Sequence, residues 1–233
     1  MSKVDALLAW LIPRRCVLCH QPSGAICVCA GCCADLPWLG RACPACGLPL
    51  PPGATPGVCG RCGVVRPFHP RVQAAFSYEY PVDRLVTGAK FHGQLHFARA
   101  LGELLATALV RGETAADPPD LLVPVPLHRR RLAERGYNQA LEIARPVAAS
   151  LRLTLSPRLC ERVRHTPEQT GLPAVERRRN LHHAFAVRGD CAGARLAVVD
   201  DVITTGSTAA ALAQALREAG AAQVEVWAVA RTL

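Results

Sequence analysis

Ten of the twelve cysteines in this 233-residue chain lie between Cys16 and Cys62. Eight of them form four Cys-x-x-Cys knuckles: Cys16/Cys19, Cys29/Cys32, Cys43/Cys46 and Cys59/Cys62. The segment around them is rich in Gly and Pro and poor in large aliphatics, so it cannot bury a core of its own. In an exported chain such a density reads as disulfides, and in a chain without an export signal it reads as metal. Thiolates suit Zn²⁺, and the two-residue gap lets both sulfurs of a knuckle face one ion. Two knuckles complete a tetrahedral site. Pairing neighbours gives Cys16, Cys19, Cys29 and Cys32 for one ion and Cys43, Cys46, Cys59 and Cys62 for the other. Crossed pairing of the first and third knuckles stays open, as does Cys27 in place of Cys29. Cys27 and Cys33 are otherwise read as small buried residues. Closed all-thiolate sites are structural, and metal then supplies much of the folding free energy.

The formal net charge is +9. Each site of four thiolates and one Zn²⁺ carries −2, which brings the effective charge to about +5. The start of the chain, MSKVDALLAWLIPRRC, places Pro13-Arg14-Arg15 where a signal peptide needs small residues. Residues 2–11 are expected to form a short helix packed on the protein, with peripheral membrane contact as the alternative. No run reaches the ~18 apolar residues of a membrane span. The expected location is cytoplasmic.

After Pro67 the pattern changes. Strands are expected at Val72–Tyr80, Leu121–Val125, Leu159–Val163, Arg195–Val199 and Val224–Ala230. Helices are expected at Pro81–Phe91, His96–Arg111, Asn138–Ser150 and Ser207–Ala219. This alternation predicts an α/β fold, a mainly parallel sheet flanked by helices, with the cysteine-rich module at its N-terminal side. The division falls at residues 1–66 and 67–233. Ligands of such sheets bind at the carboxyl ends of strands, where Pro124–Arg131 and Asp200–Thr208 should lie.

The second of these stretches reads VVDDVITTGST, residues 198–208. It is neither a Walker A loop nor a dinucleotide fingerprint. A turn of small residues opening a helix suits a phosphate, through backbone N–H groups and the helix N-terminus. Thr204, Thr205, Ser207 and Thr208 add hydroxyls, and Gly206 allows close approach. Two carboxylates would repel that phosphate unless they hold something one sugar away. Vicinal ribose hydroxyls fit, with Mg²⁺ in the same area. The residues therefore ask for a ribose 5-phosphate. Asp201 as a helix cap before a solvated turn is the plainer alternative.

The stretch resembles the phosphoribosyl-diphosphate signature of type I phosphoribosyltransferases. The rest of the chain is similar to the ComF family of competence proteins. The similarity runs through the knuckles, Lys90-Phe91-His92-Gly93, Pro124-Val125-Pro126-Leu127, Arg131, Arg135-Gly136-Tyr137-Asn138-Gln139, Arg162, Thr166, Gln169, Arg177, Asn180 and Phe185. The resemblance implies a phosphoribosyltransferase-like fold in which Asp200 and Asp201 are the catalytic pair on the ribose. It places the phosphates on Val202, Thr204, Thr205, Gly206, Ser207, Thr208, Lys90, Arg131 and Arg135. It also implies a hood, for which residues 164–174 are suited, and a role in natural transformation on imported single-stranded DNA.

Between Leu127 and Asn180 there are 12 arginines, no lysine and 5 acids, more charge than a diphosphate needs. An extended phosphate track for nucleic acid and a solvated basic surface both account for it. Tyr137 is a candidate for base stacking. His165, His182 and His183 read as surface residues. Three functional readings follow. The first is a site for phosphoribosyl diphosphate or a related sugar phosphate with Mg²⁺ in DNA uptake. The second is a non-enzymatic zinc-ribbon adaptor for single-stranded DNA and a competence partner such as a helicase. The third is a phosphoribosyltransferase of nucleotide metabolism.

Overall fold

The computed structural model describes residues 14–54, 57–65, 70–112, 118–164 and 183–233. The expected helix at 2–11, most of the expected hood, His165, His182, the Arg177–Arg179 cluster, Thr166, Gln169 and Asn180 lie outside the described residues.

The main sheet holds five strands. These are β1 (Arg71–Ser77), β2 (Leu121–Pro124), β3 (Thr154–Leu155), β6 (Arg195–Ile203) and β7 (Gln223–Arg231), in the order β1-β7-β6-β2-β3. Every pairing within it is parallel. A separate antiparallel pair joins β4 (Cys160–Arg162) to β5 (Phe185–Val187). The helices are α1 (Ala30–Ala34), α2 (Gly60–Val65), α3 (Val82–Phe91), α4 (Leu95–Arg111), α5 (Arg129–Arg135), α6 (Gln139–Leu151) and α7 (Ser207–Glu218). β6 and β7 are nearly continuous apolar runs because both faces of the sheet are covered.

One face buries Leu101, Leu104 and Leu105 of α4 with Ile143 and Val147 of α6. The other buries Leu212 and Leu216 of α7 against Val198 and Val226. Helices α4 and α6 cross closely at Gly102, where a Cβ would collide with the Ile143 carbonyl oxygen and the Pro146 ring.

The cysteine-rich segment is packed onto this sheet. Leu39 N–H donates to the Ala75 carbonyl at 2.8 Å, Ser77 N–H to Pro37 at 3.0 Å and Val72 N–H to Pro44 at 2.7 Å. These bonds cover the outer edge of β1, which would otherwise expose unpaired strand groups. Trp38 packs on Phe76 with centroids 4.4 Å apart and rings inclined at 44°, and its indole N–H donates to the Cys33 carbonyl. Cys27 N–H donates to Glu103 Oε2 of α4 at 2.7 Å. Cys27 and Cys33 thus contribute backbone anchors, which the sequence reading of them as buried fillers did not foresee.

Two expectations are corrected. The strand expected to stop at Val199 runs on to Ile203, because Asp200 and Val202 continue pairing with Ala228 and Ala230 of β7. Both aspartates therefore sit in the strand, and Asp201 is no helix cap; that position belongs to Gly206, with φ 74°. The Arg129–Arg135 run, for which the sequence predicts no element, is a helix capped by His128, whose imidazole accepts from Arg130 N–H. Short helices α1 and α2 each start directly after the first cysteine of a ribbon's second knuckle and carry its second cysteine, Cys32 and Cys62. Among the described residues no helix is long and apolar enough to cross a membrane.

Candidate functional site

The cysteines divide as neighbouring knuckles. Cys16, Cys19, Cys29 and Cys32 form one group and Cys43, Cys46, Cys59 and Cys62 the other, with ligand atoms within 4.8 Å of one another in each. Cys19 and Cys29 sulfurs are 3.6 Å apart, and Cys46 and Cys59 sulfurs 3.8 Å. A tetrahedral ion with Zn–S near 2.3 Å needs sulfurs separated by about 3.8 Å, so both groups fit zinc. Crossed pairing is excluded, and Cys27 stands outside the first group. Burial pushes the Cys16 and Cys43 thiols up, but surrounding backbone N–H groups outweigh it and hold them down, to about 6 and about 7. Each group therefore starts with a sulfur ready to ionise for metal.

The second centre forms where β6 ends. Asp201 is 4% exposed. Its Oδ2 faces Lys90 Nζ of α3 at 3.4 Å and accepts from Gln139 Nε2 of α6 at 3.3 Å. Its Oδ1 accepts from Val202 N–H at 2.8 Å. Asp200 is half-buried, and its Oδ1 accepts from Asp201 N–H at 2.9 Å. Burial, with the Asp201 carboxylate beside it, pushes the Asp200 carboxyl up to about 8, Lys90 pulling against the rise. The two acids are therefore unequal: Asp201 is locked into the protein and Asp200 is the more open.

The Arg135-Gly136-Tyr137-Asn138-Gln139 stretch is accounted for residue by residue. Arg135 donates to Gln139 Oε1. Gly136 ends α5 with φ 82°. Tyr137 donates its hydroxyl to the Ala89 carbonyl of α3. Asn138 caps α6, accepting from Ala140 N–H while donating to the Val125 carbonyl, both at 3.0 Å. Gln139 reaches Asp201. The stretch thus ties α3, α5 and α6 to the aspartates. Tyr137, expected as a stacking residue, is a tether instead. An exposed aromatic beside this network is Phe91, 60% exposed, with the Arg135 guanidinium 5.5 Å and the Lys90 ammonium 6.0 Å from its ring centroid. In the sequence Gln139 and Phe91 stand only as members of the Arg135–Gln139 and Lys90–Gly93 motifs, with no role of their own.

Beyond the acids, Thr204 and Thr205 are exposed, and Thr205 Oγ1 lies 2.8 Å from Ser207 Oγ. The turn opens α7, a 12-residue helix whose N-cap makes no side-chain bond. Thr208 lies in the first turn. Helix α5 carries its arginines on two sides. Arg131 and Arg135, four apart, share one face and are half-buried, whereas Arg129 and Arg130 are exposed. Arg129 and Arg188 both pair with Glu161 at 3.1 Å, and Arg130 pairs with Glu134. Lys90, Arg135, Asp200 and Asp201 are thus brought together, with the 204–208 turn immediately after them. A cavity of about 600 Å³ borders this turn. It is lined by Cys46 and Arg61 of the second ribbon, Thr204–Ser207, Arg231 and α7, and not by Asp200, Asp201, Lys90, Arg131 or Arg135.

Residues 7–63 match the double zinc ribbon domain family. DNA utilization protein YhgH of Salmonella typhimurium is 37% identical over 226 residues, 95% of this chain and 99% of that protein. Its counterpart in Escherichia coli K12 is 36% identical over the same extent. Competence protein F of Haemophilus influenzae is 34% identical, covering 74% of this chain and 78% of that one. Among solved structures, a glutamine phosphoribosylpyrophosphate amidotransferase from B. subtilis aligns with TM-score 0.40 and 21% identity over 60% of this chain, which spans 30% of that enzyme. A purine phosphoribosyltransferase from Pyrococcus horikoshii aligns with TM-score 0.33 and 18% identity, over 64% of this chain and 72% of that one. With most of its length shared with the YhgH proteins and with competence protein F, the chain belongs to the ComF family.

Proposed function

We propose that the protein is a cytoplasmic, zinc-containing binder of phosphoribosyl diphosphate or a related ribose 5-phosphate, acting in DNA utilisation as its relatives are named to do. The observation that carries this reading is the Lys90–Asp201–Gln139–Arg135 network set directly before the Thr204–Ser207 turn. Asp200 offers its remaining oxygen to one ribose hydroxyl, and Asp201 exchanges a protein contact for the other. Backbone N–H groups and hydroxyls at the start of α7 receive the 5-phosphate. Arg131 and Arg135 face the diphosphate, for which guanidinium forks are suited. Mg²⁺, when bound, would neutralise diphosphate charge, and Asp200, on losing its proton, would be the residue to hold it. If a phosphoribosyl group is transferred, charge stabilisation by these residues suffices without a dedicated base. Calorimetric titration with phosphoribosyl diphosphate and Mg²⁺ tests the reading against the Asp200→Ala/Asp201→Ala chain. Binding by the wild type alone is expected. Equal binding by both, or none by the wild type, would overturn it.

A second reading draws on the exposed Arg129 and Arg130 and on the open Phe91 ring. Together they offer phosphate contacts and a stacking surface for single-stranded DNA, with the ribbons as platform for a DNA-uptake partner. It is compatible with the first, since a nucleic acid end carries the same ribose phosphate.

A further inference from the structure

Arg231, the last residue of β7, is 7% exposed. Its Nε donates to the carbonyl of Cys46, a zinc-ligand residue of the second ribbon, at 2.8 Å. Its Nη1 donates to the carbonyls of Ile203 at 3.0 Å and of Thr204, the two residues that lead into the phosphate turn. The Thr232 carbonyl at 2.7 Å completes the set. One rigid guanidinium thus bridges a metal knuckle and the turn. The Cys46 and Cys62 sulfurs also lie near enough to act on it electrostatically, opposed by Arg61. The knuckle is braced from its other side by Val72 N–H on the Pro44 carbonyl.

We infer that Arg231 is a positioning residue that couples the second zinc site to the phosphate turn, so that zinc occupancy there sets affinity for the phosphate ligand. The inference rests on the phosphate reading of Thr204–Thr208. Among the described residues no hydrogen bond bridges the first site to the phosphate turn.

Binding couplings are reciprocal, so the ligand must also hold the metal. The experiment measures zinc release to a chelating dye from the intact chain, with and without saturating phosphoribosyl diphosphate. Two zinc ions per chain are expected. The ligand should slow release of one by about fivefold and leave the other unchanged. The protected ion should persist in Cys19→Ser, which lacks a first-site ligand. In Arg231→Met the protection should vanish and ligand affinity should fall about tenfold. If phosphoribosyl diphosphate binds the wild type but alters neither release rate, the coupling is overturned while the site reading stands. If it slows both ions equally, general tightening is responsible and Arg231 has no special part. If the wild type does not bind it at all, the phosphate reading fails and the coupling with it.

Discussion

Replacing Glu103 tests whether the first ribbon and the sheet are one cooperative unit. This carboxylate on α4 accepts the Cys27 N–H at 2.7 Å and pairs with Arg99 at 3.2 Å and Arg14 at 3.6 Å. Its side chain is only 12% exposed, whereas those of Arg14 and Arg99 are 46% and 58% exposed. The buried bond to a charged acceptor is worth about 1.5–3 kcal/mol. The two exposed ion pairs add about 0–1 kcal/mol. Glu103→Ala should therefore cost about 2–4 kcal/mol and leave Cys27 N–H unpaired. For a chain of this size that corresponds to a fall in Tm of roughly 5–15 °C. Glu103→Gln keeps an acceptor for Cys27 and should cost about 1 kcal/mol. Scanning calorimetry of the zinc-loaded chains, with a dye for released zinc, makes the comparison. A single transition that moves down in Glu103→Ala, with zinc released across it, is expected. Two separate wild-type transitions that Glu103→Ala leaves in place would refute the reasoning, as would Gln proving as damaging as Ala.

Other perturbations have defined outcomes. Asp200 holds its proton up to about pH 8 in the folded chain but loses it near pH 4 when unfolded, so its burial erodes stability progressively as pH rises between those values. Asp200→Asn should raise Tm, by more at pH 8.5 than at pH 6, while abolishing phosphoribosyl diphosphate binding; a gain that shrinks with pH would contradict the assignment. Gly102→Ala forces a methyl against the Ile143 carbonyl and should cost about 1–3 kcal/mol in denaturant titration. Arg129→Ala/Arg130→Ala should flatten the salt dependence of oligonucleotide binding without altering sugar-phosphate titrations. Phe91→Leu should weaken oligonucleotide binding about fivefold or more, and Phe91→Tyr should restore it.

The metal groups were legible because two-residue spacing states its own geometry. The aspartate-turn motif was legible for a similar reason: its chemistry is local. Its frame was not. Asp200 and Asp201 interrupt the apolar pattern by which a strand is read, and only pairing with Ala228 and Ala230 shows that β6 continues. Helix α5 escaped because Arg129-Arg130-Arg131 carries no apolar stripe; its start depends on His128 and its end on Gly136. The inequality of the two acids depends on Lys90 and Gln139, each brought from a distant helix. Arg231 offered no local signal, since its partners are carbonyl oxygens, which every residue possesses.

The strand order has a consequence for how the protein comes into being. β1 is paired within the sheet only to β7, about 150 residues later in the chain. Until Arg231 has emerged from the ribosome, the strand that receives the ribbon has no partner strand in the sheet. The knuckles can bind zinc early in synthesis, but their landing surface is assembled last. Such a chain must keep an open strand edge and a metal-loaded head apart from other proteins during translation, the interval in which exposed edges aggregate. Slowed synthesis of the final strand should therefore harm yield more than slowed synthesis of the ribbons, even though the ribbons carry most of the unusual chemistry.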